Sequence, residues 1–223
     1  MKTSVIIPAL NEENCIGDLV TECLRLPVAQ VIVVDNGSRD NTADAALDAG
    51  AEVVHEPRRG YGFACAAGVA AAHKADVLVF LDGDFSFLPS EMPALLAALQ
   101  DADLVLGSRP RGHIARGAMP AHQRFGNWLV ARLAQLFYGV RLTDVGPYRA
   151  IRRHWIERLD LRERTYGWPI EMIVKAAKRG ARIVEVPVSY HPRRGGRSKV
   201  SGTWRGTFLA SYHILRVTIR NLF

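Results

Sequence analysis

Val77-Leu78-Val79-Phe80-Leu81-Asp82-Gly83-Asp84 sets five apolar residues in succession before two carboxylates separated by one glycine. An uninterrupted apolar run of this kind predicts a buried strand of a parallel sheet. The carboxylates then fall at its carboxyl end, where open α/β sheets bind ligands. Side chains two apart on an extended backbone point the same way, so Asp82 and Asp84 can address one metal ion or one phosphate-rich ligand. Gly83 leaves room for that ligand to approach the backbone. Asp and Gly are also ordinary turn residues, and a plain polar turn accounts for the same letters.

On either side of this run, apolar strands alternate with helical patterns. Ser4-Val5-Ile6-Ile7-Pro8 predicts a first strand, and Asn11 a cap for a helix with Ile16, Leu19, Val20, Cys23 and Leu24 at helical spacing. Val31–Val34 and Glu52–His55 predict further strands around a helix from Asn41 to Ala49 closed by Gly50. Helices follow at about 63–74 and 89–99, and a fifth strand at 103–107. Short connections between alternating strands and helices imply a doubly wound parallel sheet. Residues 109–119 predict a loop, 124–138 a helix, 144–151 a short strand, 170–178 a helix stopped by Gly180, and 183–188 a last strand. A basic loop, 191–203, then leads to a closing helix from Trp204.

The 223 residues are 48% hydrophobic and 23% charged, a globular composition long enough for one sizeable α/β domain. No run reaches the eighteen or so apolar residues of a membrane-spanning helix, and Met1-Lys2-Thr3-Ser4 leads straight into a strand, so a cytoplasmic location is expected. Cys15, Cys23 and Cys65 are widely spaced and indicate neither a disulfide framework nor a zinc site. The net charge of +7 comes largely from arginines crowded into the second half. Arginine forks suit phosphates, leaving nucleic acid, anionic lipid and nucleotide substrates as partners that composition does not separate.

Asp35 ends the second strand as Asp82 follows the fourth, so both are expected in one crevice beside Pro8-Ala9-Leu10-Asn11-Glu12. A carboxylate there can accept hydrogen bonds from a base N–H or ribose hydroxyls, although Asp35-Asn36-Gly37-Ser38 also reads as a cap and turn. The first strand–helix turn has no Gly-x-Gly-x-x-Gly, and no phosphate-loop lysine motif occurs, which weighs against dehydrogenases and P-loop NTPases.

Four stretches, Val5–Glu13, Val33–Thr42, Phe80–Asp84 and Gly107-Ser108-Arg109, resemble family 2 glycosyltransferases in order and spacing. With Asp144-Val145-Gly146-Pro147-Tyr148-Arg149-Ala150 and Arg194-Gly195-Gly196-Arg197-Ser198-Lys199, the chain is similar in particular to the dolichol- and polyprenol-phosphate sugar synthases. The resemblance covers nearly the whole chain. It implies a GT-A-like α/β fold, a doubly wound, mainly parallel mixed sheet flanked by helices, spanning residues 1–203. Residues 204–223 would add an amphipathic helix, either packed on the domain or lying on an anionic leaflet.

The same resemblance implies a nucleotide pocket of Pro8, Ala9, Leu10, Glu12, Asp35, Gly60, Asp82 and Gly83. It also implies a Mg²⁺ or Mn²⁺ ion on Asp82 and Asp84, and phosphate or acceptor contacts from Arg109, Arg149, Arg197, Ser198 and Lys199. The implied reaction moves a hexose, with inversion, from a UDP- or GDP-sugar to a polyprenyl phosphate at the cytosolic membrane face. A hydroxyl acceptor would instead need a general base, for which Asp144 and Glu171 are the candidates. Asp144 capping a turn and Glu171 pairing with an arginine are their structural alternatives. A nucleotide-sugar binder without catalysis is a further alternative. A nucleic-acid binder is disfavoured because aromatics are not interleaved among the arginines. Gly60-Tyr61-Gly62 departs from the Gly-Lys-Gly of many relatives, and Gly146-Pro147-Tyr148-Arg149 from their Ser-Gly-Phe-Arg.

Overall fold

In the computed structural model, which describes residues 1–195 together with Arg216, Val217 and Arg220, the apolar run supplies the middle strand of a seven-stranded sheet. Strands β1 (Thr3–Ala9), β2 (Gln30–Asp35), β3 (Glu52–His55) and β4 (Val77–Phe80) are mutually parallel and alternate with helices α1 (Ile16–Leu24), α2 (Thr42–Asp48) and α3 (Tyr61–Ala71). The chain continues through α4 (Met92–Ala98), β5 (Leu104–Ile114), α5 (Ala121–Tyr138), β6 (Arg149–Arg152), α6 (Arg153–Leu159), α7 (Trp168–Lys178) and β7 (Ile183–Tyr190). Strand order is β3-β2-β1-β4-β6-β5-β7, with β6 antiparallel to both neighbours and all other pairs parallel. The chain winds from β1 out to β3, then crosses through α3 to β4 on the other side of β1. That reversal opens a crevice at the carboxyl ends of β1, β2 and β4.

Strands β1, β2 and β4 are apolar on both faces because both faces are covered, whereas the edge strand β3 exposes Glu52 and His55. Val5, Ile7, Val31, Val33, Val77 and Val79 pack with Ile16, Leu19, Val20 and Cys23 of α1 on one side. Ile6, Ile32, Val34, Leu78 and Phe80 pack with α3, α6 and α7 on the other. Helix α3 lies so near the sheet that a Cβ on Gly68 would stand 2.4 Å from Ile6 Cγ2. All three cysteines are buried as thiols, none in a disulfide.

Several boundaries differ from the sequence-based expectation. Asn11 is not the cap of α1. It sits at φ +53°, donates its N–H to Ser38 Oγ and accepts Arg39 N–H on Oδ1, while Cys15 holds the N-cap position. The expected loop at 109–119 is strand as far as Ile114, because β7 offers a parallel ladder that resumes after a bulge between Ser108 and His113. The strand expected from Asp144 starts only at Arg149; Asp144 to Tyr148 form a connection whose Gly146 and Pro147 carbonyls accept the Arg149 guanidinium. Helix α6 was not expected, although its buried Trp155, Ile156 and Leu159 have helical spacing. Of the closing helix expected from Trp204, only Arg216, Val217 and Arg220 are described; these are helical, and Val217 is buried. Gly68→Ala should destabilise the fold by about 2 kcal/mol through overpacking against Ile6, seen as a lowered denaturation midpoint with an unchanged m-value.

Candidate active site

Strand β4 stops at Phe80, so Asp82 and Asp84 lie in the turn beyond it rather than on extended backbone. The turn is tightly held. Asp84 Oδ1 accepts Ser86 N–H at 3.0 Å, and the Asp84 carbonyl accepts Arg194 N–H at 3.2 Å. Phe85 takes φ +59° with its ring buried. A Cβ on Gly83 would stand 3.2 Å from the Pro8 carbonyl, and the Gly83 carbonyl faces Cys15 Sγ at 3.4 Å, so this residue lets the turn lie against the end of β1. The two carboxyls are close enough that burial, then the charge of Asp84, pushes Asp82 up to about 7. Tyr61 at the start of α3 offers its hydroxyl to Asp82 Oδ1 at 3.3 Å and offsets part of that cost.

This pair fits a hard divalent cation: the ligands are oxygens, and their mutual repulsion is what such an ion relieves. Two carboxylates leave positions on such an ion for waters and substrate phosphates, and among the described residues no group of three or more His, Cys, Asp or Glu that could hold a metal ion occurs.

Beside the turn, Ala9 pairs in register with Asp35, which brings Pro8, Ala9 and Leu10 next to the carboxyl end of β2. Asp35 Oδ1 accepts Ser38 N–H at 2.9 Å, and Oδ2 lies 3.4 Å from His55 Nδ1. Asp35 thus both shapes its own turn and borders the crevice. Asn36 ties the end of β2 to the segment between β3 and α3, donating Nδ2 to the carbonyls of Glu56 and Arg58 and accepting Gly60 N–H. Gly60 adopts φ +150° and approaches the Arg164 carbonyl so closely that a Cβ would stand 2.4 Å away. It positions α3, and with it Tyr61. The missing lysine of Gly-Lys-Gly is thereby replaced by a hydroxyl that meets Asp82.

The cations divide into those at the crevice and those beneath it. Arg109 forms a buried two-pronged pair with Asp144, with Nε to Oδ2 and Nη2 to Oδ1 both at 2.7 Å. Its backbone N–H also reaches Asp144, and its guanidinium stacks 5.0 Å from the Tyr190 ring. Burial opposes the Arg109 charge, but Asp144 outweighs it and raises the pKa. Arg149 is fully buried with its guanidinium on the carbonyls of Gly146, Pro147 and Pro169, and burial lowers its pKa. It supports the floor rather than lining the crevice. Glu171 is fully buried too. Its Oε2 accepts the N–H groups of Arg162 and Glu163, and its Oε1 lies 2.8 Å from Lys175 Nζ and 3.6 Å from Arg220 Nη2. Arg197, Ser198 and Lys199 lie outside the described residues.

Arg193, which the motif did not single out, reaches the site. Its Nη2 bonds both oxygens of Glu12 at 2.7 and 2.6 Å, and its Nη1 stands 4.0 Å from Asp84 Oδ2. Arg194 stacks its guanidinium 3.6 Å from the Phe85 ring. Arg193 lies 181 residues from Glu12, so no local pattern could have paired them.

The profile of glycosyl transferase family 2 matches residues 4–160, from β1 to the residue after α6. The chain belongs to glycosyl transferase family 2. This glycosyltransferase is 39% identical to an uncharacterized glycosyltransferase of Mycobacterium tuberculosis over 93% of each chain. It is 36% identical to the undecaprenyl-phosphate mannosyltransferase of Micrococcus luteus over 91% of this chain and 88% of that one. With the polyprenol monophosphomannose synthase of Mycolicibacterium smegmatis the identity is 33%, over 91% and 82%. Its fold matches that of glucosyl-3-phosphoglycerate synthase from Mycobacterium tuberculosis, crystallised with Mn²⁺, UDP-glucose and phosphoglyceric acid, with a TM-score of 0.80 over 99% of this chain and 79% of that one at 24% identity. The fold is thus GT-A, and the protein is an enzyme, not a nucleotide-sugar binder without catalysis.

Because the Asp82 carboxyl is raised above its unfolded value, the folded glycosyltransferase binds that proton more tightly, and the stability linked to it is lost as pH rises towards 7. Asp82→Asn should therefore stabilise the fold in chelator at pH 8 by on the order of 1 kcal/mol, seen as a raised melting temperature, with the gain vanishing towards pH 4. Asp144→Ala should cost about 3–5 kcal/mol in chemical denaturation, because it leaves the Arg109 guanidinium buried without its counter-charge.

Proposed function

We propose that this glycosyltransferase moves a hexose, with inversion, from a UDP- or GDP-sugar to a polyprenyl phosphate at a membrane surface. The observation that carries the choice of acceptor is the engagement of its two candidate bases. Asp144 spends both oxygens on Arg109 and on backbone N–H groups, and Glu171 is enclosed by Lys175, Arg220 and the 162–163 backbone. A hydroxyl acceptor must lose a proton as it attacks, whereas a phosphate monoester is already ionised and needs positioning and charge screening. The names of the mannosyltransferase and synthase relatives support the same acceptor.

In the reaction, a phosphate oxygen of the acceptor forms the new bond to the anomeric carbon on the face opposite the leaving group. The bond to the nucleoside diphosphate breaks, and that group departs with the electron pair. Pro8, Ala9, Leu10, Glu12 and Asp35 border the base and ribose, and the tight packing of Gly60 and Gly83 shapes the walls. Mg²⁺ or Mn²⁺ held by Asp84 and Asp82 would neutralise charge building on the departing diphosphate. Arg109, fixed by Asp144 and Tyr190, supplies a positive field beside Asp82. Arg193 is a further cation at the mouth. The family resemblance assigns Arg197, Ser198 and Lys199 to the acceptor phosphate.

Calorimetry with UDP and GDP, each with and without Mn²⁺, should show metal-dependent binding of one nucleotide that Asp84→Ala abolishes. Transfer assays should give turnover with a polyprenyl phosphate and none with the matching polyprenol. Turnover on the alcohol with Asp144→Asn or Glu171→Gln selectively inactive would overturn the acceptor assignment.

A further inference from the structure

Helix α5 carries an apolar stripe on its outside. Phe125, Trp128, Leu136 and Phe137 are 62%, 50%, 73% and 43% exposed, an unusual concentration of large apolar side chains in solvent. Phe125, Trp128, Arg132 and Leu136 are spaced by three, four and four, which puts them along one line of the helix. The Phe125 and Trp128 rings lie 5.8 Å apart, and the Arg132 guanidinium is 5.9 Å from the Trp128 ring. Beside them a cavity of about 390 Å³ is lined by Trp128, Arg132, Gln135, Arg141 and Leu142, among others.

Along the sequence through α5 the charge has one sign, and the neighbouring Glu185 is engaged by the N–H groups of Thr143 and Asp144. From Leu104 to Thr143 the sequence contains six arginines and two histidines and no Asp or Glu. Arg116, Arg124, Arg132 and Arg141 are all exposed. Aromatic and aliphatic side chains in a row with arginines beside them match the boundary of an anionic bilayer, where rings sit among the headgroups and guanidinium groups meet lipid phosphates. A second copy of the same face would bring like charges together.

The stripe also has a structural connection to the crevice. On the inner side of α5, Asn127 donates to the Thr143 carbonyl at 3.2 Å and accepts Val145 N–H at 3.0 Å. These bonds clasp the segment containing Asp144, the partner of Arg109. A surface one helix away from Arg109 is where a lipid-anchored phosphate would rise out of a leaflet.

We infer that the outer face of α5, with Phe125, Trp128 and Leu136 as its apolar stripe and Arg124, Arg132 and Arg141 as its basic flank, docks the enzyme on an anionic lipid leaflet. This deepens the polyprenyl phosphate reading and rests on it for its purpose, but it can be measured separately. The full chain should co-sediment with phosphatidylcholine vesicles containing phosphatidylglycerol, weakly or not at all with phosphatidylcholine alone, and less at high salt. Phe125→Ser/Leu136→Ser should lower that partitioning about tenfold with an unchanged melting temperature. The double variant should also keep turnover on a short water-soluble prenyl phosphate and lose it on a long-chain acceptor embedded in vesicles.

Wild-type protein that ignores the anionic vesicles, or a double variant that sediments like wild type, overturns the docking face. So does a dimer in light scattering that the double variant dissolves, since the stripe would then be a subunit contact. Vesicle binding lost in the double variant, with no turnover on either acceptor, upholds the docking face and removes the acceptor assignment instead.

Discussion

Asp82 and Asp84 share one half-buried turn, and two carboxyls so placed repel each other and lose hydration. Much of the surrounding structure offsets that cost. Tyr61 donates to Asp82, Arg109 and Arg149 lend positive field from the side and from beneath, and Arg193 stands near Asp84. Each cation is itself held by something else: Arg109 by Asp144, Arg149 by three carbonyls, Arg193 by Glu12. A buried charge is tolerable only when paired and hydrogen-bonded, so removing one member leaves the next uncompensated.

Close backbone packing makes this arrangement possible. Gly83 brings the acidic turn against β1, Gly60 brings α3 against the 164 carbonyl, and Gly68 brings α3 against Ile6. These approaches set where Tyr61 points and how near the turn lies to the ends of β1 and β2. The asymmetry between the two halves follows from topology. In the β1–β4 half the strands are parallel and β1, β2 and β4 are buried on both faces, whereas the other half contains antiparallel β6 and a long β5 whose outer end, from Pro110 to His113, is exposed. The acidic turn and the crevice beside Asp35 are thus built on the parallel half, and the basic, apolar-striped surface belongs to the other.

Much of this was legible in the sequence. Continuous apolar runs marked β1, β2 and β4, and alternation with helices marked a parallel sheet, because a strand buried on both faces has no polar side to display. The carboxylates after β4 and the ordered motifs pointed to the crevice at the carboxyl ends of β1, β2 and β4. Boundaries failed where the chain's partners decided them. Asn11 has a capping residue's chemistry but spends it on the loop after β2, β5 runs on because β7 lies beside it, and Asp144 is drawn into a pair with Arg109.

The sequence by itself determined the fold class, the position of the acidic pair and the family, since these depend on local periodicity and on motifs contiguous in the chain. Only the tertiary structure decided what each charge does. Arg109 and Asp144 are 35 residues apart and Arg193 and Glu12 are 181, and a pairing over such separations is fixed by sheet order and packing, which no local pattern encodes. The exposed stripe on α5 was likewise invisible in sequence. Apolar residues at helical spacing look the same whether they face a core or solvent, and only the packing of Val130, Ala131 and Ala134 inward turns Phe125, Trp128 and Leu136 outward.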